Sequence, residues 1–458
     1  MIDKIEDYIE ANRERFVALL HEFLRIPSIS TDPSQAEAMG QAARWVRQRL
    51  ADCGFEAEVV ETPGHPAVVA DSGPADDAAA TVLVYGHYDV QPVGDRTLWD
   101  SPPFEPAVRE GAVYARGAAD DKGQVLTHLL SAEAWTKTAG KLPLRAKYII
   151  EGEEEVGSPN LGKLVEDHRR RLACDYVVLS DTAKLDAQTP AITYGTKGLV
   201  YKEIVVTGPT NDLHSGSFGG TVCNPGNALA RIIAGLKDAD ERITIPGFYD
   251  DVRPLSEQEQ AEMDALPFDE QRYLKSLGSP ALVGEAGYTT LQRRWTRPTL
   301  DVNGLFGGFA GEGASTIIPA AVGAKVSMRI VPDQQAEKIS AAFDDAVRAL
   351  APEGVRVEVK SVACAEAYVC PIDSPGMRAA VAAVGAGFEK RPVLIREGGT
   401  LPILPLFRRV LGAESIMMGF CVPDCNAHGP NEFFGLDDFI RGIRSAAHFL
   451  HALSRANT

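Results

Sequence analysis

The sequence predicts an α/β protein with a mostly parallel sheet, interrupted by an α+β segment. Three observations carry this. Near both ends of the chain, short apolar runs alternate with helical stretches, the pattern of a sheet buried between helices. Between about 197 and 367, apolar and polar residues alternate within the strand-like runs, as in a sheet with one solvated face. The 458 residues also exceed what one ordinary core accommodates, so at least two domains are expected.

The elements follow in order. Ile5, Ile9, Phe16, Leu20, Phe23 and Leu24 recur at helical spacing among charges and predict an opening amphipathic helix. Buried strands are predicted over 81–85, 146–150, 176–179, 393–395 and 415–418, with a helix over 124–135 between the first two. Gly195-Thr196-Lys197-Gly198 offers a hinge into the interrupting segment. There, Leu229, Ile232, Ile233 and Leu236 mark a helix started near Asn224-Pro225. Val326, Met328 and Ile330, and later Val355, Val357 and Val359, alternate with polar residues as strands, and Ile339, Phe343, Val347 and Leu350 mark a helix between them. A polar stretch punctuated by Pro246, Pro254, Pro267, Pro280 and Pro298 reads as an insertion of short helices. The expected division is an α/β domain of 1–196 and 368–458 interrupted by an α+β domain of 197–367.

Composition narrows the function. Lys plus Arg number 46 against 63 Asp plus Glu, a net charge of −17, with 45% hydrophobic and 24% charged residues. Those proportions exclude disordered and fibrous classes, and the acidic balance argues against a nucleic-acid partner. A cation as cofactor suits such a charge. No run approaches the roughly 20 apolar residues of a membrane span, and the opening Met1-Ile2-Asp3-Lys4 has no apolar signal region. Seven unpatterned cysteines fit a reducing compartment. The expectation is a cytoplasmic protein with no membrane partner.

Six of the nine histidines lie on helical stretches or in a Pro-flanked loop, where surface or core roles suffice. His87, His214 and His428 differ in their neighbours. Gly86-His87-Tyr88-Asp89 directly follows a predicted strand, and ligand sites in open α/β sheets form at the carboxyl ends of strands. His87 and Asp89, two apart, point the same way in extended chain, and a metal-bound His commonly gives its second N–H to a carboxylate. The next strands run into Glu151-Gly152-Glu153-Glu154-Glu155 and Ser180-Asp181, Gly117 to Gly123 holds Asp120 and Asp121, and the last strand leads towards His428. Carboxylates gathered at several strand ends repel one another unless cations compensate. Two His with several carboxylates and no committed thiolate suit Zn²⁺, Mn²⁺ or Co²⁺. Cys421, Cys425 and His428 lack the partner pair of a zinc finger.

Gly86-His87-Tyr88-Asp89, Gly117-Ala118-Ala119-Asp120-Asp121-Lys122-Gly123, Glu151 to Ser158 and Leu213-His214-Ser215-Gly216 together resemble the M20 metallopeptidase family, and within it the carnosinase-type dipeptidases. The resemblance runs from about residue 10 to 450. It implies a catalytic domain holding two divalent metal ions, interrupted by a lid and dimerisation domain. His87 and Asp181 would hold one ion, Glu155 and His428 the other, and Asp120 both, with a cis peptide at Asp120-Asp121. Glu154 would be the general base, its place in the Glu153-Glu154-Glu155 run fixed by the distance to Gly157-Ser158 in the family's pattern. Asp89 would orient His87. His214 would reach across a homodimer to stabilise an oxyanion in the partner's site. Arg329 would grip the terminal carboxylate of a small peptide, aided by Gly399 and Thr400, with Thr316 and Asn303 lining the site.

The implied function is cleavage of dipeptides or short peptides with a free C-terminal carboxylate. The alternatives are an N-acyl-amino-acid deacylase of the same family and, more distantly, a non-catalytic dimeric binding module. A two-metal phosphoesterase would use similar ligands but leaves His214 and Arg329 without a task. The inserted region and the Asp-Leu-His-Ser-Gly phrasing favour the peptidase over the deacylase.

Overall fold

The computed structural model describes residues 1–75 and 80–456. The chain forms two compact units, one of residues 1–194, 370–395 and 403–458, the other of 195–369 and 396–402. The first is built on the expected α/β sheet. Its strands lie in the order Glu56–Val60, Ala67–Asp71, Arg145–Glu151, Thr81–His87, Tyr176–Leu179, Glu414–Met417 and Ala191–Thr196, and Val393–Glu397 pairs with the last of these. The four central strands are parallel, while the margins are antiparallel. Arg145–Glu151 and Thr81–His87 are buried on both faces from their second residue onward, which explains why they read as continuous apolar runs.

The opening apolar periodicity resolves into two helices, Ile2–Ala11 and Arg13–Leu24, broken at Asn12. Asn12 has φ −107° and ψ 10°, and its side-chain amide donates to the Tyr8 carbonyl at 2.8 Å. That local bond competes with helix continuation, a break that hydrophobic spacing alone does not reveal. Lys122–Ala139 is the helix predicted over 124–135. It is buried on nearly every side, among Leu436–Ser454, the two opening helices and the strand Thr81–His87. Close approach to that strand requires Gly86, where a Cβ would stand 2.1 Å from Val125 Cγ2.

In the second unit the strands Thr299–Gly307, Ala321–Ile330, Gly198–Thr207 and Arg356–Ala365 form an antiparallel sheet in that order. Val200, Ile204, Val326 and Met328 pack against Leu229, Ile232, Ile339, Phe343 and Val347 from Pro225–Ala234 and Ala336–Leu350. The Pro-punctuated stretch carries the short helices Glu257–Asp264, Glu270–Leu277 and Thr290–Trp295. Among the described residues, no helix is long and apolar enough to cross a membrane.

Candidate active site

Parallel strands present their carboxyl ends on one edge, and the sequence places chemistry there. His87 ends Thr81–His87, Asp181 lies two residues beyond Tyr176–Leu179, and Glu154 and Glu155 open a 3₁₀ turn just past Arg145–Glu151. Asp120 stands before the helix Lys122–Ala139, followed by a cis peptide to Asp121. His428 comes from the loop after Glu414–Met417.

Folding brings these groups together. Ligand atoms of His87, Asp120 and Asp181 all lie within 4.8 Å of one another, and so do those of Asp120, Glu155 and His428. Asp120 is common to both sets, and its two oxygens diverge. Oδ1 is 3.1 Å from His87 Nε2, and Oδ2 is 2.8 Å from His428 Nε2. The same His428 atom lies 3.4 Å from Glu155 Oε2. Asp89 stands behind His87 with Oδ1 3.3 Å from Nδ1, and its carboxylate accepts the backbone N–H of Glu154 at 3.3 Å and of Glu155 at 3.1 Å. The Asp89 main-chain carbonyl is also 3.1 Å from His87 Nδ1, so Asp89 orients the ring through its backbone and side chain while its carboxylate anchors the turn that carries both glutamates.

Packing these carboxylates together in a buried cluster shifts their titration. Burial pushes Glu154 up to about 8, with Asp181, Glu155 and Asp120 adding to it and His87 opposing. Burial and Asp120 push Glu155 to about 7 and Asp181 to about 6. Burial alone would raise Asp120, but the two histidines hold it well below the usual carboxylate range. Contact with Asp120 lifts His428 to about 9. Among the described residues, Glu155 Oε1 is buried without a hydrogen-bond partner, and His87 Nε2 has only the 3.1 Å approach of Asp120 Oδ1. Such under-satisfied atoms in a native interior call for an explanation. Divalent cations fit here. They would satisfy both atoms and neutralise the repelling carboxylates, and the donor set of imidazole and carboxylate suits them.

The other predicted residues lie in the second unit, in two groups with Asn303 apart from both. His214 ends the short strand Leu213–His214, which pairs with Ile317–Ile318, and the Ser215 N–H donates to the Thr316 carbonyl at 2.9 Å, so His214 and Thr316 are neighbours. His214 Nδ1 accepts the N–H groups of Gly216 at 3.0 Å and Ser217 at 3.2 Å. That fixes the ring proton on Nε2, which is free to donate. Arg329 donates to Thr400 Oγ1 at 2.7 Å, beside Gly399, in a cavity of about 620 Å³. Asn303 sits at the bulge in the exposed strand Thr299–Gly307.

Several supporting groups carried no sequence signal. Gln91 donates to Glu155 Oε2 at 2.7 Å, and buried Tyr85 donates to Glu151 Oε1 at 2.7 Å. Buried Arg116 and Glu432 pair at 2.7 Å beneath the loops of Asp120 and His428. Glu432 follows His428 by four residues, and that proximity was the one available hint.

Comparison with known proteins shows the family. The chain is 32% identical to the Cys-Gly metallodipeptidase DUG1 of Candida albicans, over 98% of this chain and 97% of the relative. Among solved structures it resembles human carnosine dipeptidase 1, with TM-score 0.81 and 30% identity over 99% of both chains. It also resembles the M20 family metallo-carboxypeptidase Sso-CP2 of Sulfolobus solfataricus, with TM-score 0.83 and 32% identity over 96% of this chain and 99% of that one. The sequence profile of peptidase family M20/M25/M40 matches residues 83–452, and with relatives of this identity aligned end to end the chain belongs to that family.

Proposed function

We propose that this chain is a metal-dependent dipeptidase acting on small peptides with a free C-terminal carboxylate. The observation that carries the reading is Asp120, shared between two ligand sets beside Glu154. His87 and Asp181 would hold one divalent ion, Glu155 and His428 a second, and Asp120 both. Zn²⁺, Mn²⁺ and Co²⁺ all suit these donors. When bound, such ions supply Lewis acidity towards a water and towards an amide carbonyl.

The chain's own residues do the rest. Glu154 belongs to neither ligand set, so its carboxylate is available to take a proton from water and return it to the leaving amine. Burial raises Glu154 to about 8 in the bare cluster, and bound cations would favour its charged, proton-accepting form. Asp89 holds His87 with Nε2 towards the cluster. His214, with its proton on Nε2, suits the stabilisation of an oxyanion. Arg329, steadied by Thr400, offers a planar fork to a terminal carboxylate, and Gly399, Thr316 and Asn303 are the further residues proposed to contact the peptide.

The proposed assembly is a homodimer in which His214 serves the partner's site. The exposed apolar residues Val302, Leu305, Phe306 and Phe309, on and beside an edge strand, support a protein contact there. A cytoplasmic setting is consistent with seven free cysteines.

The test is a paired assay on metal-stripped protein re-supplied with Mn²⁺ or Zn²⁺. One arm offers free dipeptides, the other N-acetylated amino acids. Cleavage of dipeptides is expected. Cleavage of the acylated set alone would replace the proposal with a deacylase, and silence in both arms with two ions bound would leave a binding module.

A further inference from the structure

The buried ion pair of Arg116 and Glu432 joins segments more than 300 residues apart, with Arg116 Nη1 2.7 Å from Glu432 Oε2. It is the centre of a wider network. Glu432 Oε2 also accepts the Gly117 N–H at 2.9 Å, and Oε1 accepts the N–H groups of Ala119 at 2.8 Å and Asp120 at 3.0 Å. One carboxylate thus takes four donors, and the last belongs to Asp120 itself. The second guanidinium branch, Arg116 Nη2, donates to the carbonyls of Pro92 at 3.2 Å and Gly429 at 3.1 Å. Gly429 follows His428, so one side-chain pair grips the backbone at Asp120 and next to His428.

We propose that Glu432, acting with Arg116, is a positioning residue of the active site, holding the Asp120 and His428 loops in the register that lets one carboxylate face both imidazoles. The inference rests on reading the cluster as a two-metal centre. A buried ion pair by itself is weak evidence for stability, but here the tolerance is narrow. Asp120 must keep Oδ1 towards His87 and Oδ2 towards His428, at 3.1 and 2.8 Å. Its own N–H is fixed by Glu432 Oε1. The chemistry requires a carboxylate, because all four partners are donors. A glutamine of the same shape would turn an NH₂ either onto Arg116 and Gly117 or onto Ala119 and Asp120, donor against donor.

The experiment compares Glu432→Gln, Arg116→Lys and a control, Arg145→Gln, with the unaltered chain. Arg145→Gln breaks the pair with Asp71, whose contacts are 3.0 and 2.6 Å, away from the cluster. Mn²⁺ is titrated calorimetrically into metal-stripped, folded protein, and kcat and KM are measured on a cleaved dipeptide. Glu432→Gln is expected to weaken binding of at least one ion by roughly 10–100-fold, the range for groups that orient metal ligands. It should lower kcat by a larger factor than it changes KM. A merely structural brace predicts a lower melting temperature with unaltered ion affinity, the result expected for Arg145→Gln. Unaltered affinity in folded Glu432→Gln overturns the proposal. Should that variant fail to fold, Arg116→Lys decides, because it keeps the charge opposite Glu432 but loses the fork to Gly429. Weakened ion binding there upholds the proposal, and unaltered binding overturns it. If the unaltered chain binds no ion, the metal-centre reading fails and takes this inference with it.

Discussion

Glu154 and Glu155 are neighbours in one turn, yet the fold separates their tasks. Glu155 meets His428 and Asp120 as part of a ligand set, whereas Glu154 belongs to neither set. Glu154→Gln is therefore expected to keep both ions bound and the fold intact while kcat falls by roughly two to four orders of magnitude, the usual worth of a positioned acid–base group. Calorimetric ion titration alongside turnover checks both halves, and activity above a tenth of the starting value would remove Glu154 from the base role. The neighbourhood of the candidate ligands was legible in the sequence because His87, the glutamate run 153–155 and Asp181 stand at or just beyond apolar strand runs, while the role of each came from the family resemblance. Gln91, Arg116 and Glu432 were not, because each takes its meaning from a partner far along the chain: Gln91 meets Glu155, 64 residues away, and Arg116 meets Glu432, 316 away.

At the level of elements, long apolar runs such as those of Arg145–Glu151 and Thr81–His87 read clearly, as did the alternating runs in Ala321–Ile330 and Arg356–Ala365, whereas the short buried strands Ala67–Asp71 and Ala191–Thr196 did not. Glu56–Val60 escaped notice because it is an edge strand, half exposed and carrying Glu56 and Glu58, so no apolar run announces it. The Asn12 break was hidden for another reason, since hydrophobic spacing continues across it. What no pattern shows is how closely elements approach. Gly86 permits Thr81–His87 to lie against Lys122–Ala139, the two elements that deliver His87 and follow Asp120. Gly86→Ala would place a methyl 2.1 Å from Val125 Cγ2 and 2.8 Å from Asp121 Oδ2. Overpacking of this kind costs about 1–3 kcal/mol, and here it also spreads His87 from Asp120. Lower thermal stability and weaker ion binding are both expected. Combining it with Val125→Ala removes the nearest clash, so the pair should be less than additive. Strict additivity in a double-mutant cycle would show that the strand and helix are not held by this contact.

Across the whole molecule, a net charge of −17 coexists with a cluster that buries several carboxylates, and the consequence is a pH dependence whose sign can be worked out. Glu154, Glu155, Glu151 and Asp181 stand at about 8, 7, 7 and 6, each raised first by burial, and burial beside Asp181 raises Asp121 well above its usual range. In the unfolded chain these groups titrate near 4. Between roughly pH 4.5 and 7 the metal-free folded state thus binds more protons than the unfolded one, and its stability falls as pH rises. His428, raised to about 9 by Asp120, adds to the decline once its unfolded value near 6.5 is passed. His128 opposes it below that value, since burial lowers it to about 4. Buried Lys122 and Lys197, both lowered to about 7, oppose it only at higher pH. His21 and His451, lowered by partial burial, oppose it in the same way as His128. Glu397, Glu432 and Asp438 are also raised by burial, so the raised carboxylates outnumber the lowered histidines and decide the sign between pH 5 and 7. The melting temperature of chelator-treated protein should therefore drop by several degrees across that window. Saturating Mn²⁺ or Zn²⁺ should reverse the slope, because the ions bind deprotonated ligands and protons compete less as pH rises. A flat profile for the metal-free chain would mean that the carboxylates are not packed as described. A falling profile that metal leaves unchanged would mean that they are, but that they hold no ion.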